Sequence, residues 1–507
     1  MKIRGRLLVA VVLAAIVVAT GTVFERVLGT RPLDSSTPPA ETSGGWMCPH
    51  GGGDGYRAWV VAVNATDRTS EVVLTTYGRA EPRAIRDVVP ARSQVYFEVP
   101  SERMASASVL EFFGPPLVAG MVTRRGEGKG LAAEPCVPDA GRRWFVPEGT
   151  SVRGQAAALV VVNPFAQEAV LDIALFTDDE IIRHGNLSGV VIPPRRAEAF
   201  DLNRFALGEE SLLADIRVSL GEVAVTGFGL GTESGLRGTL GVREAAPTRI
   251  LPGASDAEPA RITVLGATGQ DAPFQVLAQG PEGSKVVLEE EEVAAHSVQS
   301  LEIPGREAGV VVQGVGQVPF VAGRRLAPIA PEPPPEPPKP PKGGKGQDDK
   351  DGQGGAGGKG GKGGTGGQAG KGQNKPEPEP EPAPADLAAT AGASRPAATW
   401  VAASPLPVDG GSSLLILQNP GGSPGQGQVI LLSEEGIVGT PIPVTLAPGS
   451  TTTLDLADEG GMQPLAAVVR LSTGRTVVAQ VAIGPDGYAV SMAIPVEPST
   501  TLEELGI

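Results

Sequence analysis

The residues able to carry chemistry are few and scattered. The three histidines, His50, His184 and His296, lie in three different parts of the chain. A zinc site needs closely spaced His, Cys or Asp ligands. Only Cys48-Pro49-His50 approaches that spacing, and a structural disulfide flanked by a turn accounts for it. Gly421-Gly422-Ser423-Pro424-Gly425 fits the G-x-S-x-G elbow of serine hydrolases. That elbow needs a helix directly after the serine, with an acid and then a His later in the chain. Here Pro and Gly follow, no His occurs after His296, and Asn419-Pro420 marks a turn. Asp178-Asp179-Glu180 and Glu289–Glu292 lack the ligand spacing of a calcium loop and read as solvated turns. Asn64-Ala65-Thr66 and Asn186-Leu187-Ser188 match the glycosylation pattern, as pattern only. No residue is assigned to catalysis, to a cofactor or to a metal, and the expected protein is not an enzyme.

The two cysteines point elsewhere. Leu7–Phe24 is an uncharged apolar run preceded by Lys2, Arg4 and Arg6. Cations followed by such a run make a signal anchor, with the basic tip 1–6 in the cytoplasm and the rest outside. A cleavable signal cut near Gly21 is the other reading; the run continues past the small trio Ala19-Thr20-Gly21, which favours a retained anchor. Outside the cell an even pair of cysteines reads as one disulfide, Cys48–Cys136. The formal charge of −15 argues against nucleic acid and anionic lipid surfaces as partners.

What would position any site is an all-β scaffold. Gly (70) and Pro (48) are abundant and aromatics are 4%, the composition of many short strands joined by turns. Alternating Val-rich strands are predicted at 58–63, 71–76, 157–162, 170–176, 413–417 and 428–432. Single helical turns are expected only in LDLADEGG and LNRFALGEE. Three landmarks recur four times. The first closes a strand with a turn, at Asn64-Ala65, Asn163-Pro164, Gly266-Ala267 and Asn419-Pro420. The second opens an alternating strand, at Pro90, Pro194, Ala295 and Pro448. The third is a hairpin glycine, at Gly114, Gly221, Gly316 and Gly474.

The repeat predicts tandem immunoglobulin-like β-sandwiches at 46–140, 141–250, 251–330 (degenerate) and 386–507, after a flexible tether over 25–45. Residues 331–385 are Pro/Gly/Lys-rich and offer no apolar surface to offset ordering entropy, so a disordered linker is expected there. On that reading the sandwiches are beads, and the fourth floats about 100 Å from the others.

Trp46-Met47-Cys48-Pro49, Cys136, the stretch Trp144-Phe145-Val146-Pro147-Glu148-Gly149-Thr150 and Asn163-Pro164 together resemble a family of exported actinobacterial proteins of unknown function. The resemblance covers roughly 40–250. It implies an envelope location and an accessory role, and hands over no catalytic residue. The expectation is a membrane-anchored extracellular scaffold whose partner is an envelope protein or wall glycan. The alternative is a secreted glycan-binding or carbohydrate-active accessory protein, which the scarcity of Trp and Tyr disfavours.

Overall fold

The computed structural model describes residues 43–326 and 388–496, apart from short breaks at 54, 79–80, 101–103, 127–129, 232–234, 254–259, 304–308, 407–410 and 485–486. The anchor Leu7–Phe24, the tether up to 42 and the linker 331–385 lie outside the described residues. Among the described residues no helix is long and apolar enough to cross a membrane.

Among the described residues the regular structure is almost entirely antiparallel strand. Unit 1 holds β1 (Ser43–Cys48), β2 (Tyr56–Asn64), β3 (Ser70–Tyr77), β4 (Arg83–Val89), β5 (Ser93–Val99), β6 (Ala107–Phe113), β7 (Val118–Arg125) and β8 (Leu131–Pro135). They form two sheets, β1-β6-β3-β4 and β5-β2-β7-β8, that face each other across one core. Unit 2 has β9 (Arg143–Val146), β10 (Gln155–Asn163), β11 (Ala169–Phe176), β12 (Ile181–Ile182), β13 (Val190–Ile192), β14 (Arg196–Asp201), β15 (Leu213–Leu220), β16 (Ala224–Gly231) and β17 (Leu236–Leu240). Its sheets are β9-β15-β11-β12, with β13 also on β11, and β14-β10-β16-β17. β12 and β13 share the same edge of β11 and together take the fourth place, so that β14, β15, β16 and β17 are the fifth to eighth strands of this unit.

Unit 3 has β18 (Thr248–Pro252), β19 (Ala260–Leu265), β20 (Ala272–Gly280), β21 (Gly283–Val293), β22 (Val298–Ile303), β23 (Gly309–Gly314), β24 (Val321–Leu326) and β25 (Ala388–Thr390). Unit 4 has β26 (Thr399–Ala402), β27 (Ser412–Gln418), β28 (Gly425–Leu432), β29 (Ile437–Leu446), β30 (Thr451–Asp455), β31 (Ala466–Thr473), β32 (Val477–Gly484), β33 (Gly487–Met492) and β34 (Ile494–Pro495). Both repeat the same order, β18-β23-β20-β21 with β22-β19-β24-β25, and β26-β31-β28-β29 with β30-β27-β32-β33, where β34 adds to β26. All six predicted strands are present, as are helical turns at Leu202–Arg204 and Ala457–Gly460.

The landmarks have physical causes. Asn64 Nδ2 donates to Arg68 O (2.7 Å) and Val89 O (3.1 Å), while Thr66 N–H donates to its Oδ1 (3.0 Å). Asn163 repeats this with Gln167 O, Ile192 O and Phe165 N–H, and Asn419 with Ser423 O, Ala447 O and Gly421 N–H. A buried amide thus ties the end of one strand to the turn after it and to a neighbouring strand end. In unit 3 the position is Gly266, where a β-carbon would collide with Ala294 O; the backbone closes directly instead, with His296 N–H donating to Gly266 O (2.9 Å). The second landmark is a turn with a left-handed residue, Arg92 (φ 52°), Arg195 (54°), His296 (57°) and Gly449 (64°).

A fourth repeated feature joins the two sheets. The indole N–H groups of Trp46, Trp144 and Trp400, each on the first strand of its unit, donate to Leu117 O, Val223 O and Thr476 O, all at 2.8 Å. Those carbonyls stand at or just before the start of the seventh strand, so each Trp pins its sandwich shut.

The sandwiches are not beads on a thread, and here the structure corrects the expectation. Ala132 packs with Val160, Phe228 and Leu236 between units 1 and 2. Phe145, Phe176 and Leu213 meet Leu265, Val298 and Val321 between units 2 and 3. Leu326 and Ala388 meet Ile416, Ala479 and Tyr488 between units 3 and 4. Val401, Leu406, Leu432 and Val468 of unit 4 belong to the core of unit 1. The four units therefore close into a ring. Their eighth strands β8, β17, β25 and β33 lie side by side in cyclic order at its centre.

The linker's place changes with this. β25 follows residues 331–385 in sequence, yet its Ala388, Ala389 and Thr390 pair with Leu326, Arg325 and Arg324 of β24. Residues 327–387 therefore connect the two strands of a hairpin within unit 3 and do not space unit 4 away from it. The fourth sandwich begins at Thr399, not at 386, and it is packed on units 1 and 3.

Candidate functional site

A cleft of about 730 Å³ opens where all four units meet. Unit 1 supplies Trp46, Glu134 and Cys136, unit 2 Leu240 and Val242, unit 3 Arg249 and the segment from Ala391, and unit 4 Trp400, Arg475 and Met492–Val496. Topology explains the convergence. After the eighth strand the chain runs back along the first strand of its own unit, through the bridges Met47–Val137, Phe145–Val242 and Ile250–Ala393 and the pair Val401–Ile494. Those return segments cluster around the central strands, and the cleft lies among them.

The wall is apolar with a cationic bias. Arg249 is 4% exposed; its Nη2 donates to Glu244 O, and its Nε has no hydrogen-bond partner among the described residues. Burial lowers its pKa to about 10, partly opposed by Glu244, so it stays charged at neutral pH. Arg395 and Arg475 are exposed at the rim. Glu134, 4% exposed, has its pKa pushed well above the usual carboxylate range by burial, against one hydrogen bond from the Leu240 backbone. Its Oε1 has no hydrogen-bond partner among the described residues.

A second buried polar cluster joins units 2 and 3. Arg325 Nε donates to Glu148 Oε1 (2.6 Å), and Arg237 Nε lies 3.4 Å from Glu148 Oε2. Arg325 also donates to Gly149 O and Glu210 O, both at 3.2 Å. Burial opposes ionisation of Glu148, but Arg325 and Arg237 outweigh it and hold its pKa below the ordinary value. The triad is a cross-interface weld, and its geometry suits holding register more than chemistry.

The residues singled out from sequence are placed as follows. Cys48 and Cys136 form the predicted disulfide, Sγ–Sγ 2.01 Å, inside the first core. His50 is fully buried beside it. Its Nδ1–H donates to Gly51 O (2.7 Å) and its Nε2 accepts from Ser108 Oγ (2.9 Å), a Ser–His pair sealed from solvent that sequence did not suggest. Burial lowers the His50 pKa to about 4. His184 caps a 3-10 turn, accepting Asn186 N–H, and His296 is in a turn of unit 3, so the three histidines stay apart. Ser423 is in an exposed turn with no helix after it. Asp178 accepts from Ser300 Oγ across units 2 and 3, while Glu289–Glu292 lie within strand β21 and are not a turn. Among the described residues no group of three or more His, Cys, Asp or Glu could hold a metal ion. Asn64 is buried and engaged, which removes it as a glycan acceptor; Asn186 is exposed.

The fold and cleft define an all-β protein of repeated sandwiches. Residues 104–332, from just before β6 to beyond β24, match the model of a family of unknown function, DUF5719. No curated protein matches the chain.

Proposed function

We propose that the protein is a non-enzymatic binding scaffold of the bacterial cell envelope, held outside the membrane by the Leu7–Phe24 anchor. The observation that carries this reading is the Cys48–Cys136 disulfide, a bond that persists in oxidising compartments, downstream of three cations and an uncharged apolar run. The pairing of the second strand with the fifth and of the third with the sixth, in every unit, supports kinship with immunoglobulin-like sandwiches. The shared cores of the four units favour a rigid platform over a flexible reach. Binding is assigned to the four-way cleft, the place where all units contribute to one concave surface.

Wall glycan is the less favoured partner. Trp46, Trp59, Trp144 and Trp400 are the chain's four tryptophans, each at most 7% exposed; Trp46 and Trp400 reach the cleft wall but leave little open ring face for a sugar to stack on. The test has two parts. On intact, wall-stripped cells, protease should digest the region after Phe24 while the protein stays with membranes; a mature N-terminus at Thr22 in the medium would contradict the anchor. In pull-downs, the scaffold reading expects retention of envelope proteins and not purified wall glycan; retention on glycan alone would favour the secreted glycan-binding alternative.

A further inference from the structure

The repeat supplies an internal control for one residue. At the same position of the first strand, units 1, 2 and 4 carry Trp46, Trp144 and Trp400, and unit 3 carries Arg249. The equivalence is fixed by pairing. Trp46 faces Leu110, Trp144 faces Ile216, Arg249 faces Val312 and Trp400 faces Val469, each on the sixth strand of its unit. The next residue in each case, Met47, Phe145, Ile250 or Val401, meets the return segment after the eighth strand.

Three units use this place for a sheet-to-sheet indole bond. A buried guanidinium there is costly, since it must be desolvated and its donors satisfied. Arg249 meets only part of that requirement: among the described residues its Nε has no hydrogen-bond partner, in a 4% exposed residue that lines the cleft. A locally unfavourable residue that lines a cleft at a junction of four units calls for a functional explanation, and a ligand supplies one. The surroundings narrow the ligand. Trp46, Leu240, Val242, Trp400, Met492 and Ile494 make an apolar wall. The acid that lines the wall, Glu134, is buried and held toward its neutral form, so it adds little opposing charge. Glu244, exposed and outside the lining, only partly offsets Arg249, while Arg395 and Arg475 add positive charge at the rim. One buried planar fork in a mostly apolar cleft suits a single carboxylate better than a dianion, which would need more donors.

We propose that the four-way cleft binds an organic monocarboxylate with an apolar body, its acid group held by Arg249. This rests on the binding role proposed above and names its ligand class. The test is calorimetric titration of the full-length protein in lipid nanodiscs with 4-phenylbutyrate, using empty nanodiscs as the blank. Saturable binding is expected, with 4-phenyl-1-butanol, the same body without the acid, at least tenfold weaker. Arg249→Trp restores the residue of the other three units and should bind at least tenfold more weakly at a melting temperature equal to or above that of the parent. Arg249→Met serves the same purpose should the larger side chain unfold the unit. Arg249→Lys should retain part of the affinity. Equal binding of the alcohol, undiminished binding by the folded Trp or Met variant, absence of saturable binding, or tighter binding of 4-phenylbutyl phosphate would each overturn the proposal. Such a failure leaves the scaffold reading intact, because the envelope pull-down does not depend on a small carboxylate.

Discussion

The side chain of Glu134 in β8 is seated on Gly238 of β17: a β-carbon at position 238 would lie 3.1 Å from Glu134 Cγ. The two residues belong to different sandwiches, so the fit is part of what closes the ring. Counted back from the first strand of the following unit, the position of Glu134 corresponds to Thr239 and Thr390, both buried and smaller. The longer side chain is accommodated because its neighbour is glycine. Gly238→Ala should therefore destabilise by about 1–3 kcal/mol through overpacking. Adding Glu134→Thr should recover most of the loss. A double-mutant cycle on thermal or denaturant melts reads the coupling, and strict additivity would contradict the contact.

The triad at the interface of units 2 and 3 predicts a larger effect. Glu148→Gln leaves the buried Arg237 without its counter-charge and removes that of the half-buried Arg325, at an expected cost of about 3–5 kcal/mol. The variant should melt in a broader transition, with units 2 and 3 loosened first. A change below about 1 kcal/mol would mean that water already reaches the cluster.

Much of the fold was legible in the sequence, and what was missed has a physical reason. The Asn turns, the left-handed turns and the hairpin glycines are local chemistry, so Asn64, Asn163 and Asn419 announced themselves by spacing. Assembly is not local. A signal for it was present in the runs AWVVAV at 58–63 and AALVVV at 157–162, unbroken where a strand with one wet face would alternate. Val60 and Val61 are both fully buried because the second sheet has the sandwich core on one face and other units on the other. The misplaced linker has the same origin. Ala388–Thr390 is too short and too plain to be recognised as a strand, and only pairing with β24 assigns it to unit 3. The cleft was illegible because its residues come from four units. Arg249 became noticeable only once register showed that it stands where the other units have Trp.

His50 gives the first core a pH dependence. Its folded pKa, about 4, is below the usual 6.5, so the fold favours the neutral ring. The associated stability is fully present above pH 6.5 and is lost as the pH falls through the folded value, by up to about 3 kcal/mol. Melts between pH 7 and 4 should show this loss, and His50→Gln should flatten it. An unchanged slope in that variant would contradict the assignment.

The disulfide predicts no free thiol in unfolded, unreduced protein; titration of two would contradict it. Paired replacement of Cys48 and Cys136 by alanine releases a loop spanning 88 residues and should cost about 4–5 kcal/mol on the chain-entropy model. Because Val401, Leu432 and Val468 share the first core, unit 4 should lose stability along with unit 1.

The closed ring is the central claim, and co-production of the chain as two pieces, 1–330 and 386–507, tests it most directly. The second piece carries β25, which pairs with β24 of the first, and all of unit 4, which packs on units 1 and 3. The ring predicts that the pieces copurify as a one-to-one complex, and that 386–507 made alone exposes apolar surface and aggregates. A soluble, cooperatively folded 386–507 monomer with no affinity for the first piece would contradict it.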